Sequence, residues 1–191
     1  LDIYVSNGGN IEGDDKANEL FINRKNGTFL EQAREYGLDD KGLSTHASFF
    51  DYDHDGDLDC FVLNNSTRST ESFGYSRSIR HIRDAVNGDR LYKNEGGKFR
   101  DVSAEAGIYG SEIGFGHGIT VADLDNDGWE DIYISNDFFE RDYLYINQQN
   151  GGFKEVINEA MGHLSQGSMG ADIADINNDG YADIFFTANQ Q

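Results

Sequence analysis

A nine-residue acidic segment occurs three times in this chain, as DYDHDGDLD at 51–59, DLDNDGWED at 123–131 and DINNDGYAD at 175–183. Each copy has carboxylates or carboxamides at positions one, three, five and nine, and a glycine at position six. A calcium ion takes six to eight oxygen ligands, and a chain supplies them by curling around the ion, with glycine at the sharp turn. The segments are therefore predicted to be calcium-binding loops, and their repetition predicts a repeated fold.

The ligand pattern predicts about three structural calcium sites. Position seven ordinarily contributes a backbone carbonyl, so any residue type is acceptable there. Asn177 keeps an oxygen ligand in the third loop but removes one negative charge, so we expect this loop to bind Ca²⁺ most weakly. The predicted ligands are Asp51, Asp53, Asp55, Asp57 and Asp59 in the first loop, Asp123, Asp125, Asp127, Trp129 and Asp131 in the second, and Asp175, Asn177, Asp179, Tyr181 and Asp183 in the third.

Two other interpretations of these loops are weaker. An isolated Asp-Gly turn is common in hairpins, but clustered carboxylates repel one another by about 4 kcal/mol for each pair about 4 Å apart. An EF-hand loop ends at its twelfth position in a bidentate Glu, whereas Val62, Ile134 and Phe186 stand there in this chain. Runs of β-branched and aromatic residues follow position nine, which indicates that each loop joins two β-strands.

A second motif alternates with the loops, at 18–38, 89–108 and 142–164. Each copy has a short apolar strand, an Asn, a Gly turn, a Phe and a second strand. The segment LDIYVSNGG at 1–9 is similar to the sequences that follow the loops, so Asp2 corresponds to the last ligand of a fourth loop. We therefore expect the chain to be a piece of a longer polypeptide, cut within a repeat.

Each repeat contains four strand-like stretches, which in the second repeat lie at about 46–51, 58–64, 90–94 and 98–103. Four antiparallel strands in a repeat of this length are typical of a β-propeller blade. The strands before the loops, ASFFD, ITVAD and ADIAD, are apolar or small. This composition predicts innermost strands that are covered on both faces.

The predicted fold is therefore all-β, with about three blades of a larger, seven-bladed propeller; a linear array of repeats is the alternative. We expect the whole chain, 1–191, to be a segment of one propeller domain. Its predicted repeats are about 1–57, 58–129 and 130–181, with the start of another repeat after them and an insertion at 64–88.

Three longer stretches carry a resemblance to a known family: 89–108, 114–137 and 168–185. They resemble the FG-GAP/VCBS repeat propellers, close to those of integrin α-subunits and closer to cartilage acidic protein and its bacterial relatives. The resemblance covers nearly all of the chain outside the insertion. It implies an extracellular or cell-surface protein, secreted or in the outer membrane if bacterial, that binds calcium and interacts with partners without catalysing a reaction.

The net charge of −20 and the isoelectric point of about 4.3 argue against nucleic acid as a partner, because phosphate binding needs a basic surface. The acidity suits a setting with millimolar calcium. The single cysteine, Cys60, corresponds to apolar strand positions and is predicted to be a small buried hydrophobe. The sequence has no apolar run of membrane-spanning length, so direct membrane insertion is not expected.

Two further groups of residues are candidate sites. The insertion carries basic residues that are either a solvated loop or a recognition loop for an acidic partner or a sugar acid, namely Arg68, Arg77, Arg80, His81 and Arg83. His46, His117, Gly118 and Asp172 lie on the strands before the loops, where they either pack or face a central channel. Asn26 and Asn65 stand in N-glycosylation sequons.

Three functions fit these observations. The first is a calcium-stabilised interaction or scaffold module for a protein or glycan at a cell surface. The second is a carbohydrate-binding or polysaccharide-cleaving propeller, in which channel residues such as His117 and Asp172 would act on a sugar. The third is a subunit of a larger assembly. The first is favoured and predicts no enzymatic activity, because no convergent acid–base arrangement is recognisable in the sequence.

Overall fold

The computed structural model describes residues 1–8, 16–67, 79–138, 140–165 and 167–189. These ranges contain thirteen strands and two short helices. The strands are β1 Ile3–Val5, β2 Glu19–Asn23, β3 Phe29–Glu31, β4 Leu43–Phe50, β5 Asp59–Asn65, β6 Arg90–Asn94, β7 Phe99–Asp101, β8 Gly116–Ala122, β9 Asp131–Asn136, β10 Tyr143–Asn147, β11 Phe153–Glu155, β12 Ser168–Ala174 and β13 Asp183–Ala188. Helix α1 is Ala33–Tyr36 and helix α2 is Ile157–Ala160.

The strands form four antiparallel sheets that follow one another along the chain. The second sheet, β4-β5-β6-β7, and the third, β8-β9-β10-β11, have four strands each. The first sheet, β1-β2-β3, has three strands, and the fourth, β12-β13, has two. This order confirms the predicted all-β fold with four-stranded blades. The strands of the second sheet agree with the predicted stretches to within three residues.

Successive sheets pack face to face, and the side-chain alternation of β5 shows how. Cys60 and Val62 point toward the first sheet, where they join Leu20 and Leu38 in one apolar cluster. Phe61 points the other way, into a cluster with the third sheet. Full burial of a side chain of this size contributes about 1.5–3 kcal/mol, so each contact between sheets is stabilising.

Strand β9 repeats this arrangement one sheet further along. Ile132 and Ile134 pack toward the second sheet, and Tyr133 packs toward the fourth sheet with Ile173 and Ile184. Every residue of β5 and β9 is buried. The strands before the loops were predicted to be covered on both faces, and β8 does contact the neighbouring strands β4 and β12. Strands β4, β8 and β12 lie at the sheet edges and are only partly buried, and the strands after the loops hold the interior.

Each of the strands β4, β8 and β12 has a β-bulge near its start. The pairing with the following strand skips Thr45 in β4, His117 in β8 and Met169 in β12. A bulge adds one unpaired residue and increases the local twist. The same irregularity in three sheets shows that the repeats share backbone geometry as well as sequence.

Helices α1 and α2 follow the last strands of the first and third sheets. Helix α1 ends at Gly37, which has a left-handed φ of 84° and donates its N–H to the carbonyl of Ala33. A Cβ at Gly37 would lie 2.6 Å from the carbonyl oxygen of Phe99 in the neighbouring sheet. Glycine is therefore required there both for its conformation and for the close approach of the two sheets.

Candidate metal centres

The three acidic loops share one backbone conformation. The residues at position four have left-handed φ values of 56° at His54, 62° at Asn126 and 60° at Asn178. The glycines at position six have φ values between 89° and 95°. Left-handed φ is uncommon for residues other than glycine, and asparagine and histidine tolerate it better than most. Each loop therefore makes the tight turn that the glycine predicted.

The first carboxylate of each loop organises this turn by accepting two backbone N–H groups. Asp51 accepts the N–H groups of positions five and six at 3.1 and 3.0 Å. The corresponding distances at Asp123 are 3.0 and 2.9 Å, and at Asp175 they are 3.0 and 2.9 Å. The position-five carboxylates in turn accept the N–H of position seven, on Asp57, Trp129 and Tyr181.

The last carboxylate of the loop ties it to the third strand of the sheet. Asp59 accepts the N–H of Asn94 at 2.8 Å and that of Tyr52 at 3.1 Å. Asp131 makes the equivalent bonds to Asn147 at 2.8 Å and Leu124 at 2.9 Å. Burial raises the pKa of both carboxyl groups to about 6. The sequence predicted these residues only as metal ligands and did not reveal their structural role.

Each of these two bonds occurs once more, the bond within the loop at Asp183 and the bond to the third strand at Asp2. Asp183 accepts the N–H of Ile176 at 3.1 Å. Asp2 accepts the N–H of Asn23 at 2.8 Å, as Asp59 does from Asn94. Asp2 thus occupies the place that the comparison of repeats predicted for it.

Two of the loops gather three carboxylates each. Oxygens of Asp51, Asp53 and Asp59 lie within 4.8 Å of one another, and so do those of Asp123, Asp125 and Asp131. In the third loop Asn177 replaces one of the corresponding acids, and its amide oxygen accepts the N–H of Asp179 at 2.9 Å. Positions one, three and nine therefore converge in the first two loops.

Buried oxygens at the first loop favour a cation there. Asp53 Oδ1 and Asp57 Oδ1 are inaccessible to solvent and have no hydrogen-bond partner among the described residues. A buried acceptor without a donor costs about 1–3 kcal/mol, and more when it is charged. Converging carboxylate oxygens with unused lone pairs are what a hard cation such as Ca²⁺ binds. The residues present therefore fit calcium.

The surroundings of the first two loops differ at position five. The ammonium of Lys93 contacts Asp53 and lies 3.2 Å from Asp55 Oδ2. Hydrogen bonding to Lys93 lowers the pKa of Asp55. At the second loop the amide of Gln149 donates to Asp127 Oδ2 at 2.7 Å, which lowers the pKa of Asp127. Sequence reasoning missed Lys93, although a lysine where the other repeats have isoleucine could have indicated it.

The candidate channel residues all have structural contacts. His46 Nδ1 accepts the backbone N–H of Ile119 at 3.3 Å, which links β4 to β8. His117 Nε2 lies 3.5 Å from Asp137 Oδ2. Asp172 accepts the N–H of the residue that follows it, at 2.9 Å. A Cβ on Gly118 would lie 3.4 Å from the backbone of the fourth sheet, so this glycine serves packing.

The described arginines of the insertion bind the chain itself. Arg80 forms an ion pair of 2.7 Å with Glu140, whose side chain is 2% exposed. Arg83 donates to the carbonyl oxygens of Asp89 at 3.2 Å and Ile108 at 2.7 Å. These two side chains hold the insertion against the body of the protein and are not presented to a partner. Arg68 and Arg77 lie outside the described residues.

The remaining candidates are consistent with structural roles. Cys60 is fully buried, and burial raises the pKa of its thiol. Asn65 is 8% exposed and paired in β5, which makes it a poor acceptor for a glycan. Asn26 lies in an exposed turn and accepts the N–H of Thr28 at 3.1 Å. None of the helices in the described ranges is long and apolar enough to cross a membrane.

Comparison with known proteins agrees with this geometry. The chain is 34% identical to mouse (Mus musculus) integrin alpha-3 over 107 residues, which is 49% of this chain and 10% of that protein. It is 33% identical to integrin alpha-3 of Cricetulus griseus over 97 residues, 44% of this chain and 9% of that protein. With human integrin alpha-6 the identity is 38% over 81 residues, 37% of this chain and 7% of that protein.

The chain thus spans about a tenth or less of the length of these relatives. The closer resemblance to cartilage acidic protein stays a prediction. The family model of the FG-GAP-like repeat matches residues 1–62, 82–134 and 123–186, which together are most of the sequence. The chain therefore belongs to the FG-GAP repeat family of β-propeller proteins.

Proposed function

We propose that this chain is a calcium-binding β-propeller segment that serves as an interaction or scaffold module at a cell surface or outside the cell. The observation that carries this proposal is the convergence of three carboxylates in each of two adjacent loops, together with the buried, unpaired oxygens of Asp53 and Asp57. Carboxylates placed this close are stable together when a cation neutralises them.

The proposed role of calcium is structural. Each complete loop joins the first strand of a sheet to the second. In the first two loops the last carboxylate also reaches the third strand, through the bonds of Asp59 to Asn94 and of Asp131 to Asn147. A cation that binds only the folded loop stabilises the fold by about 1.4 kcal/mol per site at ten times its dissociation constant. We expect about three such sites, with the fifteen sequence-predicted residues as ligands and the third loop the weakest.

The interaction role rests on the family and on the surface. The matches to integrin alpha chains support a protein partner and an extracellular or cell-surface location. The large negative charge disfavours nucleic acid. We infer binding rather than catalysis, because His46, His117 and Asp172 each make contacts that explain them without a substrate. Membership of a larger assembly, with further blades to complete the propeller, is part of this proposal.

Calorimetric titration with Ca²⁺ tests the cation sites. Wild type should bind calcium, and Asp125→Ala should lose binding at the second loop only. Glu105→Ala is the matched control, because this carboxylate is 69% exposed and lies outside the loops. Lack of calcium binding by wild type at millimolar concentration would overturn the proposal.

Arrays of purified extracellular proteins and of glycans, probed in calcium and in EDTA, test the interaction role. We expect calcium-dependent binding to a protein. A glycan that is bound and returned unchanged would favour the lectin-like alternative, and a glycan that is cleaved would contradict the non-enzymatic assignment.

A further inference from the structure

Lys93 places a positive charge among the carboxylates of the first loop. It lies on β6, and its ammonium contacts Asp53 and lies 3.2 Å from Asp55 Oδ2. These aspartates are the predicted ligands at positions three and five. The Lys93 side chain is 27% exposed, and that of Asp53 is 14% exposed, so the pair is partly shielded from water.

The other repeats have no charge at this place. Lys93 pairs with Arg100 in the neighbouring strand, and the same register position is Ile22 in the first sheet and Ile146 in the third. The second loop instead receives a neutral amide donor from Gln149. The first two loops therefore have the same converging carboxylates but different neighbouring groups.

An ammonium and a divalent cation compete for the same oxygens. Lys93 satisfies one oxygen of Asp53 and leaves the other, Oδ1, buried and without a partner among the described residues. The lysine is thus only a partial substitute for a multivalent ion. Its flexible four-carbon stem allows the ammonium to withdraw when the carboxylates take another cation.

We propose that Lys93 is an internal counter-ion of the first loop, which lowers the calcium affinity of that loop below the affinity of the second loop. This inference rests on the proposed calcium-binding function. In low calcium Lys93 holds the first loop closed, and rising calcium displaces it. The two adjacent loops therefore fill in sequence, the second before the first.

A site-resolved titration tests this inference in the intact chain. The backbone amides of Gly56 and Gly128 each donate to the first carboxylate of their own loop, so their NMR signals report the two loops separately. In wild type, Gly56 should respond at higher calcium than Gly128. Lys93→Met should lower the Gly56 midpoint about fivefold, the size of a partly exposed ion pair, and leave the Gly128 midpoint within twofold.

Two control variants separate charge from packing. Lys93→Arg keeps the charge and should keep the Gly56 midpoint close to wild type. Lys154→Met removes an ammonium that pairs with Glu159 away from the loops, at 57% exposure, and should move neither midpoint. A Gly56 midpoint that Lys93→Met leaves unchanged, or equal shifts at both glycines, would overturn the inference and leave calcium binding intact. If neither glycine responds to calcium in wild type, the proposed function itself fails.

Discussion

The imidazole of His54 stacks on the indole of Trp129, with ring centroids 3.9 Å apart and an angle of 11° between the planes. His54 is position four of the first acidic loop, and Trp129 is position seven of the second. A similar contact follows one blade later, where the Asn126 amide donates to the carbonyl of Gly180 at 3.2 Å. Position four thus links the first loop to the second and the second to the third, so neighbouring acidic loops are in direct contact.

Loss of the stacked ring should be visible in fluorescence. Trp129 is the only tryptophan, so the tryptophan emission comes from the ring in this contact. We expect His54→Ala to shift the emission to longer wavelength, because the indole becomes more hydrated, and to lower the free energy of unfolding by about 0.5–1 kcal/mol. His163→Ala alters an exposed histidine and should leave the emission unchanged. Identical spectra for His54→Ala and wild type would contradict the stacking.

The last carboxylate of a loop should matter even without calcium. Both oxygens of Asp131 accept backbone N–H groups, and an amide can replace only one of them. Asp131→Asn is therefore expected to lower the free energy of unfolding in EDTA by about 1–3 kcal/mol. Asp125→Asn, an exposed predicted ligand, should lose stability in calcium but not in EDTA. Urea unfolding in both buffers measures the free energy of unfolding of each variant. Equal destabilisation of the two variants in EDTA would contradict a structural role of Asp131 that is independent of calcium.

Asp89 should make stability depend on pH. The corresponding Asp142 of the third sheet binds the hydroxyls of Tyr133 and Ser168. The equivalent residues around Asp89 are Phe61 and Gly116, which have no hydroxyl. Asp89 keeps the N–H of Asn64 at 3.0 Å, and burial raises its pKa to about 7. The carboxyl of an unfolded Asp has a pKa of about 4. The protonated Asp89 therefore contributes its full share to the free energy of unfolding below pH 4, and this contribution is lost as the pH rises through 7.

Asp89→Asn imitates the protonated carboxyl and should remove this dependence. Relative to wild type, we expect the variant to gain about 2 kcal/mol of unfolding free energy between pH 5 and pH 8. Urea unfolding in calcium-free buffer at the two pH values gives this difference. Glu105→Gln, a change at an exposed side chain, serves as the control and should follow wild type. A difference that does not change with pH would contradict a change in the protonation of Asp89 between pH 5 and pH 8.

Gly88 should not tolerate a side chain. A Cβ there would lie 2.3 Å from the carbonyl oxygen of Gly110, where the end of the insertion meets the segment before β8. We expect Gly88→Ala to lower the free energy of unfolding by about 1–3 kcal/mol through this overlap. Gly114→Ala has no neighbouring atom within 4 Å and should be neutral or slightly stabilising. Denaturant unfolding measures the stability of both variants. Equal unfolding midpoints would contradict the close approach of Gly88 to Gly110.

The sequence predicted local features well, because they depend on local patterns. Oxygen ligands at alternate positions around a glycine predicted the loops, and β-branched runs predicted the strands. The burial of β4 and β8 was overestimated, because small apolar residues suit both an edge strand and a buried one. The contact of His54 with Trp129 depends on how neighbouring sheets are placed and has no signal within one repeat. The contact of Lys93 with Asp53 forms within one sheet, but it depends on how β6 lies beside the loop, which the loop pattern alone does not predict. The seven-bladed ring stays a prediction.

Thermal unfolding of the chain in millimolar calcium chloride and in excess EDTA decides whether the acidic loops hold structural cations. Three sites at ten times their dissociation constants add about 4 kcal/mol, which for a domain of this size raises the midpoint by about 10 °C. We predict a rise of this order in calcium and a much smaller one in magnesium, which demands stricter octahedral geometry. Midpoints that coincide in calcium and EDTA would contradict the assignment of these loops as calcium sites.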